Sequence, residues 1–337
     1  MFSSSEASRN DFLFIAAIRF PSRGNFRRYF RRSQSASIGR PPTLDQNPIH
    51  PYIVRTMIKT NYHTHNRFCD GKGSIADYIA AAVKKNFTAL GFSSHAPLPI
   101  KTTWNLCEEN LDAYLDELHR GQQEWAEKLQ IYIGLEIDYI PGSQSPADQR
   151  WRALDLDYSI GSVHSTVGLQ HNPSYDCIDG PPNEMMRLLH THHQGSWENM
   201  CDVYYRRISE MVRLGGFSFL SHFDLIKKGN KNQDYFKESS PWYGALVGRA
   251  LDEIAKSGII MEINSGGIAR GYLDEVYPSA WIIAEAYKRD IPVMVNSDAH
   301  QPQDIDFHFE ESQNLLRDTG YRETWALLDK RWTAVPL

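Results

Sequence analysis

Nine histidine, aspartate and glutamate side chains in this sequence stand in short, patterned groups of the kind that hold divalent cations. In NYHTHNRFCDG, His63 and His65 flank Thr64, and Asp70 follows five residues after the second histidine. Downstream stand His95 in GFSSHAP, Glu136 in GLEIDY, His164 in GSVHS and His222 in SHFD, then Asp298 and His300 on either side of Ala299 in NSDAH. All nine are imidazole or carboxylate, a donor set that suits zinc, manganese or iron and excludes a soft thiolate site. At about three or four donors per ion, with a shared carboxylate, they suffice for three ions. His-x-His or Asp-x-His on extended backbone sends both donors to one side, because side chains alternate along a strand.

Residues so far apart in sequence need a scaffold that gathers them. From Met57 onward, short apolar runs alternate with amphipathic stretches, the pattern of βα units on a parallel sheet. Strands are predicted at Lys59 to His63 and at TALGFSSH, IYIGLEIDY, DYSIGSVHS, FSFLSHFD, GIIMEINS and IPVMVNSDAH. Helices are predicted at IADYIAAAVKKN, capped by Ser74, and at LDAYLDELHRGQQEWAEKL, MCDVYYRRISEMVRLG and YGALVGRALDEIAKSG, with a final helix near FHFEESQNLLRD. His95, Glu136, His164, His222, Asp298 and His300 each fall at or near the C-terminal end of a predicted strand. In a barrel of parallel strands those ends converge on the face where active sites are built.

A lone histidine is ordinarily a hydrogen-bonded core or surface residue. Six at strand ends ask for a common cause. His190, His192 and His193 in LLHTHHQG have no carboxylate at a useful spacing and read as ordinary polar residues, and Cys69 reads as packing. Asp138 and Asp224, each two residues beyond a candidate ligand, are placed either to orient it from behind or to lie on the surface.

Composition narrows the class. A content of 41% hydrophobic and 23% charged residues is that of a soluble globular protein, and no apolar run approaches the roughly 18 residues of a membrane span. The net charge of −5 divides unevenly: residues 1–56 carry nine arginines against Glu6, Asp11 and Asp45, a net of +6, which leaves −11 on the rest. So acidic a body is a poor partner for a nucleic-acid backbone. The four cysteines form no CxxC pair, which points to a reducing cytoplasm. Residues 1–56, with FRRYFRRSQSASIGRPPTLDQNP, are transit-peptide-like in composition and read as a disordered or spurious extension, since Met57 stands directly before the first strand-like run. Residues 57–337 read as one domain.

Taken in order, HTHNRFCDG, GFSSHAP, GLEIDY, GSVHS, SHFDLIKK, EINSGGIARG with EVYPS, and NSDAH resemble the PHP superfamily (polymerase and histidinol phosphatase). CIDGPPNEM followed by QGSWENMCDVYYRRISEMV is similar to the insertion of its histidinol-phosphatase branch. The resemblance covers Met57 to about Pro302. It implies an α/β fold, a distorted TIM-like (β/α)7 barrel, with a trinuclear centre that hydrolyses L-histidinol phosphate to L-histidinol and phosphate. By the same resemblance His63, His65, Glu136 and Asp298 hold the first ion, Glu136 bridges to a second held by His164 and His222, and Asp70, His95 and His300 hold the third; Glu136, His164, Asp298 and His300 are expected to be catalytic. Many members carry histidine where this chain has Asp70, and a carboxylate there shifts preference toward manganese or iron. Arg270 is the candidate phosphate contact, because a guanidinium matches two phosphate oxygens, and Glu275 in DEVYPS the candidate for the cationic end of the substrate. The alternatives of similar chemistry are a PHP phosphoesterase acting on another small phosphate ester and a PHP nuclease module.

Overall fold

The computed structural model describes residues 58–337; the expectation for residues 1–56 falls outside them. The seven predicted strand runs are all present, each shorter than its apolar stretch: β1 Thr60–Asn61, β2 Ala89–Phe92, β3 Gln130–Ile133 with β4 Glu136–Asp138, β5 Ile160–Ser162, β6 Phe219–Leu220, β7 Ile260–Asn264 and β8 Val293–Asn296. They pair in the orders β1-β2-β3 and β4-β5-β6-β7-β8, parallel throughout.

The single strand predicted at IYIGLEIDY is divided at Gly134 and Leu135. Both halves nevertheless follow β2: the Gly134 N–H donates to Phe92 O at 2.8 Å and the Glu136 N–H to Ser94 O at 3.1 Å. A Cβ on Gly134 would lie 2.5 Å from the Tyr158 ring, so the close approach of that ring requires glycine. Parallel bridges His95↔Glu136 and Thr64↔Ala299 join the two sheets on both sides and close the ring. Counting β3 with β4 as one stave, this is a barrel of seven parallel staves.

The helices follow from local chemistry and pack outside the barrel. Helix Ile75–Lys84 starts with a capping box, Ser74 Oγ accepting the Asp77 N–H at 3.2 Å while Asp77 Oδ2 accepts the Ser74 N–H at 2.7 Å. Its buried Ile75, Tyr78, Ile79 and Ala82 recur at helical spacing, and each large apolar side chain so buried contributes about 1.5–3 kcal/mol. The predicted helices are observed at Leu111–Trp125, Trp197–Leu214, Pro241–Ser257 and Phe309–Thr319. His190 and His192 lie at the end of a further helix, Pro182–His192.

A hairpin absent from the sequence reading, β9 Glu323–Leu328 paired antiparallel with β10 Arg331–Pro336, covers the end of the barrel where the strands begin. Its Ala326, Leu327, Trp332 and Val335 cluster with Tyr62, Tyr158, Ile160, Phe219, Ile260 and Met294. The Tyr62 hydroxyl donates to Leu327 O at 2.7 Å and accepts the Leu327 N–H at 2.9 Å, so its burial leaves no polar atom unpaired. No described helix is long and apolar enough to cross a membrane. All four cysteines are free.

Candidate metal centre

At the opposite end the strands stop and their polar successors meet. Glu136, which opens β4, is buried at the middle. Its Oε2 lies 3.0 Å from His95 Nδ1, 3.3 Å from His63 Nε2 and 3.5 Å from His65 Nε2. Its Oε1 lies 3.2 Å from His222 Nε2 and 3.4 Å from His164 Nε2. One carboxylate therefore faces two sets of imidazoles with two different oxygens. Asp298 Oδ1 is 3.2 Å from His65 Nε2 and 3.6 Å from His63 Nε2. Asp70 stands at the outer side, 3.1 Å from His300 Nε2, 3.5 Å from His65 Nδ1 and 3.8 Å from His95 Nε2.

All nine sequence-derived candidates thus lie in one cluster. Donor sets compact enough for a single cation are His65 with Asp70, His95 and His300; His63 with His65 and Asp298; Glu136 with His164 and His222; and His95 with Asp138 and His164. The last has another use for its carboxylate, because Asp138 Oδ1 is 2.6 Å from His164 Nδ1 and turns Nε2 of that ring toward Glu136.

The polar bookkeeping of the site supports cations. His63 Nε2, His65 Nε2, His95 Nδ1 and Glu136 Oε2 are buried and have no hydrogen-bond partner among the described residues. Buried polar atoms are ordinarily paired, and four orphans converging on one point form a donor set that a divalent ion satisfies. The electrostatics agree. Burial alone would push the carboxyls of Glu136 and Asp298 up, yet His95, His63 and His164 around the first, and Arg270 and His63 beside the second, hold both well below the usual carboxylate range. Burial drives the His65 imidazole down to about 3, with His300 and His95 adding to the effect. Burial also opposes charge on His63 and His164, but Glu262, Asp298 and Glu136 raise the first and Asp138, Asp179 and Glu136 raise the second. The pocket favours positive charge at its centre.

Local backbone is shaped to this end. Asp298 has φ 51°, a left-handed conformation rare outside glycine, where strain marks functional positions. Arg270 donates from Nη2 to Asp298 Oδ2 at 2.9 Å and from Nη1 to Asp298 O at 3.1 Å; Nη1 also lies 2.7 Å from His300 Nδ1. A Cβ on Gly266 would come within 2.8 Å of Asp298 Oδ2 and 2.9 Å of Arg270 Nη2, so glycine there makes room for the pair.

A cavity of about 520 Å³ opens over the cluster, with Arg270, Lys228, Trp104, Tyr175, Asp179 and Glu184 in its wall. Glu275 is not in that wall: its carboxylate is 3.0 Å from Lys227 Nζ and accepts from Ser279 Oγ at 3.2 Å. Asp224 likewise turns away from His222, accepting the Ser279 N–H at 2.9 Å and pairing with Lys227 at 3.1 Å. His193 is buried against Thr166 Oγ1 at 2.7 Å and joins no ligand group. Cys69 packs 3.6 Å from His65 Nδ1, its thiol pushed up to about 11 by burial. The sequence reading passed over Glu262, whose Oε1 lies 2.7 Å from His63 Nδ1; a carboxylate in the middle of the apolar run GIIMEINS was its signal.

Known proteins resemble the chain in sequence and fold. A protein of Deinococcus radiodurans named "probable histidinol-phosphatase" is 30% identical over 264 residues, covering 77% of this chain and 93% of that protein. The histidinol-phosphatase of Bacillus subtilis is 30% identical over 272 residues, with 75% and 98% covered. In fold the chain is similar, with a TM-score of 0.60, to the crystal structure of histidinol phosphate phosphatase from Lactococcus lactis complexed with zinc, L-histidinol and phosphate; identity is 17%, and 82% of this chain and 98% of that one are covered. The profile of the PHP domain matches residues 61–266, more than half of the 337 residues and all but the closing D-x-H of the ligand cluster. On that match and on the relatives that run nearly their full length alongside it, the chain belongs to the PHP family.

Proposed function

We propose that this chain is a metal-dependent phosphomonoesterase that hydrolyses L-histidinol phosphate to L-histidinol and phosphate, a step of histidine biosynthesis. The observation that carries the reading is Glu136, one buried carboxylate between two sets of imidazoles, with Oε2 and the facing atoms of His63, His65 and His95 lacking hydrogen-bond partners. His63, His65, Glu136 and Asp298 would hold one ion, Glu136, His164 and His222 a second, and Asp70, His95 and His300 a third, with zinc, manganese or iron fitting the donors. Bound there, the ions supply Lewis acidity, lowering the pKa of water and neutralising charge on phosphate.

The chain's own residues do the rest. Glu136, His164, Asp298 and His300 frame the reacting centre. Arg270 and Lys228 in the cavity wall bind phosphate oxygens, and Arg270 is kept aligned by Asp298. Trp104, Asp179 and Glu184 supply an aromatic face and negative charge for the imidazole and ammonium of the substrate. They take over the role expected of Glu275, which Lys227 holds elsewhere. The wall sets Lys101, Lys228 and Arg270 among Asp70, Asp179, Glu184 and Asp298, and the acidic body argues for a small-molecule partner over a nucleic-acid backbone. Four free cysteines favour a reducing compartment, the cytoplasm. Residues 57–337 form the phosphatase domain in this reading, and residues 1–56 are dispensable to it.

The test is phosphate release from L-histidinol phosphate against a panel of other phosphomonoesters and single-stranded DNA. It is run on the full chain and on residues 57–337, with metal content measured on the same samples. A preference for L-histidinol phosphate by orders of magnitude, with close to three ions per chain, is expected. Weak activity on many esters with metals present would remove the substrate, and an absence of bound metal would remove the mechanism.

A further inference from the structure

Glu262, in the middle of β7, is wholly buried, stands outside the wall of the cavity over the cluster and belongs to none of the compact ligand groups. Four donors nonetheless converge on its carboxylate. Oε1 is 2.7 Å from His63 Nδ1 and accepts from Asn296 Nδ2 at 2.9 Å; Oε2 accepts the backbone N–H of His222 at 3.0 Å and Asn264 Nδ2 at 2.8 Å. The two amides cannot turn round without losing another bond, because Asn264 Oδ1 accepts the Gly266 N–H at 2.8 Å and Asn296 Oδ1 the Tyr62 N–H at 2.8 Å. With three donors fixed in this way, the adjustable partner is the His63 ring.

We infer that Glu262 is a positioning residue that dictates the tautomer of His63. It holds a ring hydrogen on Nδ1 and so reserves Nε2, 3.3 and 3.6 Å from Glu136 and Asp298, as the nitrogen that gives its lone pair to an ion. Its second oxygen pins the backbone of His222, so one carboxylate that touches no ion orders ligands of two ion groups at once. The inference rests on the metal reading proposed above. Glutamine is nearly the same size but cannot accept four donors. An amide NH2 on the Oε2 side opposes two fixed donors, the His222 N–H and Asn264 Nδ2, against one, Asn296 Nδ2, on the Oε1 side; it therefore settles on the Oε1 side and faces His63, which then keeps its hydrogen on Nε2, where an ion would bind.

Full-length wild type and Glu262→Gln are stripped with chelator and titrated with Zn2+, and the histidine ring nitrogens are followed by 15N NMR. With zinc bound, wild type is expected to show His63 with its hydrogen on Nδ1 and Nε2 given to the ion, and to take up three ions. Glu262→Gln should move that hydrogen to Nε2. It should lose about 10- to 100-fold in affinity for the ions that His63 and His222 serve, while the group of Asp70, His95 and His300 keeps its affinity. Equal zinc affinity in both proteins would overturn the role of Glu262 alone, as would an Nε2–H tautomer in the wild type, a result that stands even if the variant does not fold. A wild type that takes up no zinc would overturn the metal reading instead. A variant that melts lower without metal, yet keeps its tautomer and zinc affinity, would reduce Glu262 to a structural residue.

Discussion

The two ends of the barrel are built from neighbouring residues of the same strands and follow opposite rules. At the end where the strands begin, Tyr62, Tyr158, Phe219 and the β9–β10 hairpin make an apolar plug in which the buried hydroxyl of Tyr62 is doubly paired and that of Tyr158 donates to Tyr62 O at 2.7 Å. At the end where they finish, His63, one residue beyond Tyr62, begins a cluster of buried imidazoles and carboxylates with four atoms left unpaired. Stability is concentrated at the first end and chemistry at the second. A strand that alternates its side chains can serve both at once, and the contrast makes the two ends separable by mutation.

The largest effect should come from the mouth. His164→Ala or Asp298→Ala should remove phosphate release beyond the about 100-fold that marks loss of an outer-shell partner, while the metal-free protein, losing the bond of His164 to Asp138 or of Asp298 to Arg270, melts lower by less than a variant of the plug. A fall in melting temperature as large as that of the plug variant would break the contrast. The plug should behave the other way. Phe219→Ala should cost about 3–5 kcal/mol in denaturant unfolding, with activity per folded molecule unchanged. Arg270→Ala should be smaller, raising KM for the phosphate ester by the about 1.5–3 kcal/mol of a charged hydrogen bond; an unchanged KM would return Arg270 to a partner of Asp298 only.

The smallest effect is one of pH. Burial pushes the Asp224 carboxyl up to about 6 against the pull of Lys227, so in the fold it keeps a proton that the unfolded chain releases in the usual carboxylate range. Its contribution to stability is complete below that range and is lost as pH rises through about 6. Asp224→Asn should flatten the fall in melting temperature over that window, and an unaltered slope would dismiss the buried carboxyl as its source.

The strands, the capped first helix and the ligands were legible because each is a local signal: an apolar run, Ser74 before an amphipathic stretch, a polar residue where the run stops. What escaped depends on choices made in three dimensions. Nothing near Glu275 in sequence says that Lys227 will claim it. Glu262 looked like a strand residue because its four donors come from four separate segments. The hairpin was missed for a different reason. Its two-residue turn puts Asp329 and Lys330 at φ 48° and 60°, a conformation usually announced by asparagine or glycine, and here it is carried by a lysine.

The seam that closes the barrel is the bridge between Thr64 and Ala299, the central residues of the H-x-H and D-x-H motifs. The first and last staves therefore come together where the donors are, and the proposed first ion has His63, His65 and Asp298 in one place only after nearly the whole domain has been made. On a ribosome, the emerging chain exposes its first two histidines long before their aspartate exists. Complete metal capture is therefore a late event in the life of the chain, and a product truncated before β8 could not retain the full charge of ions.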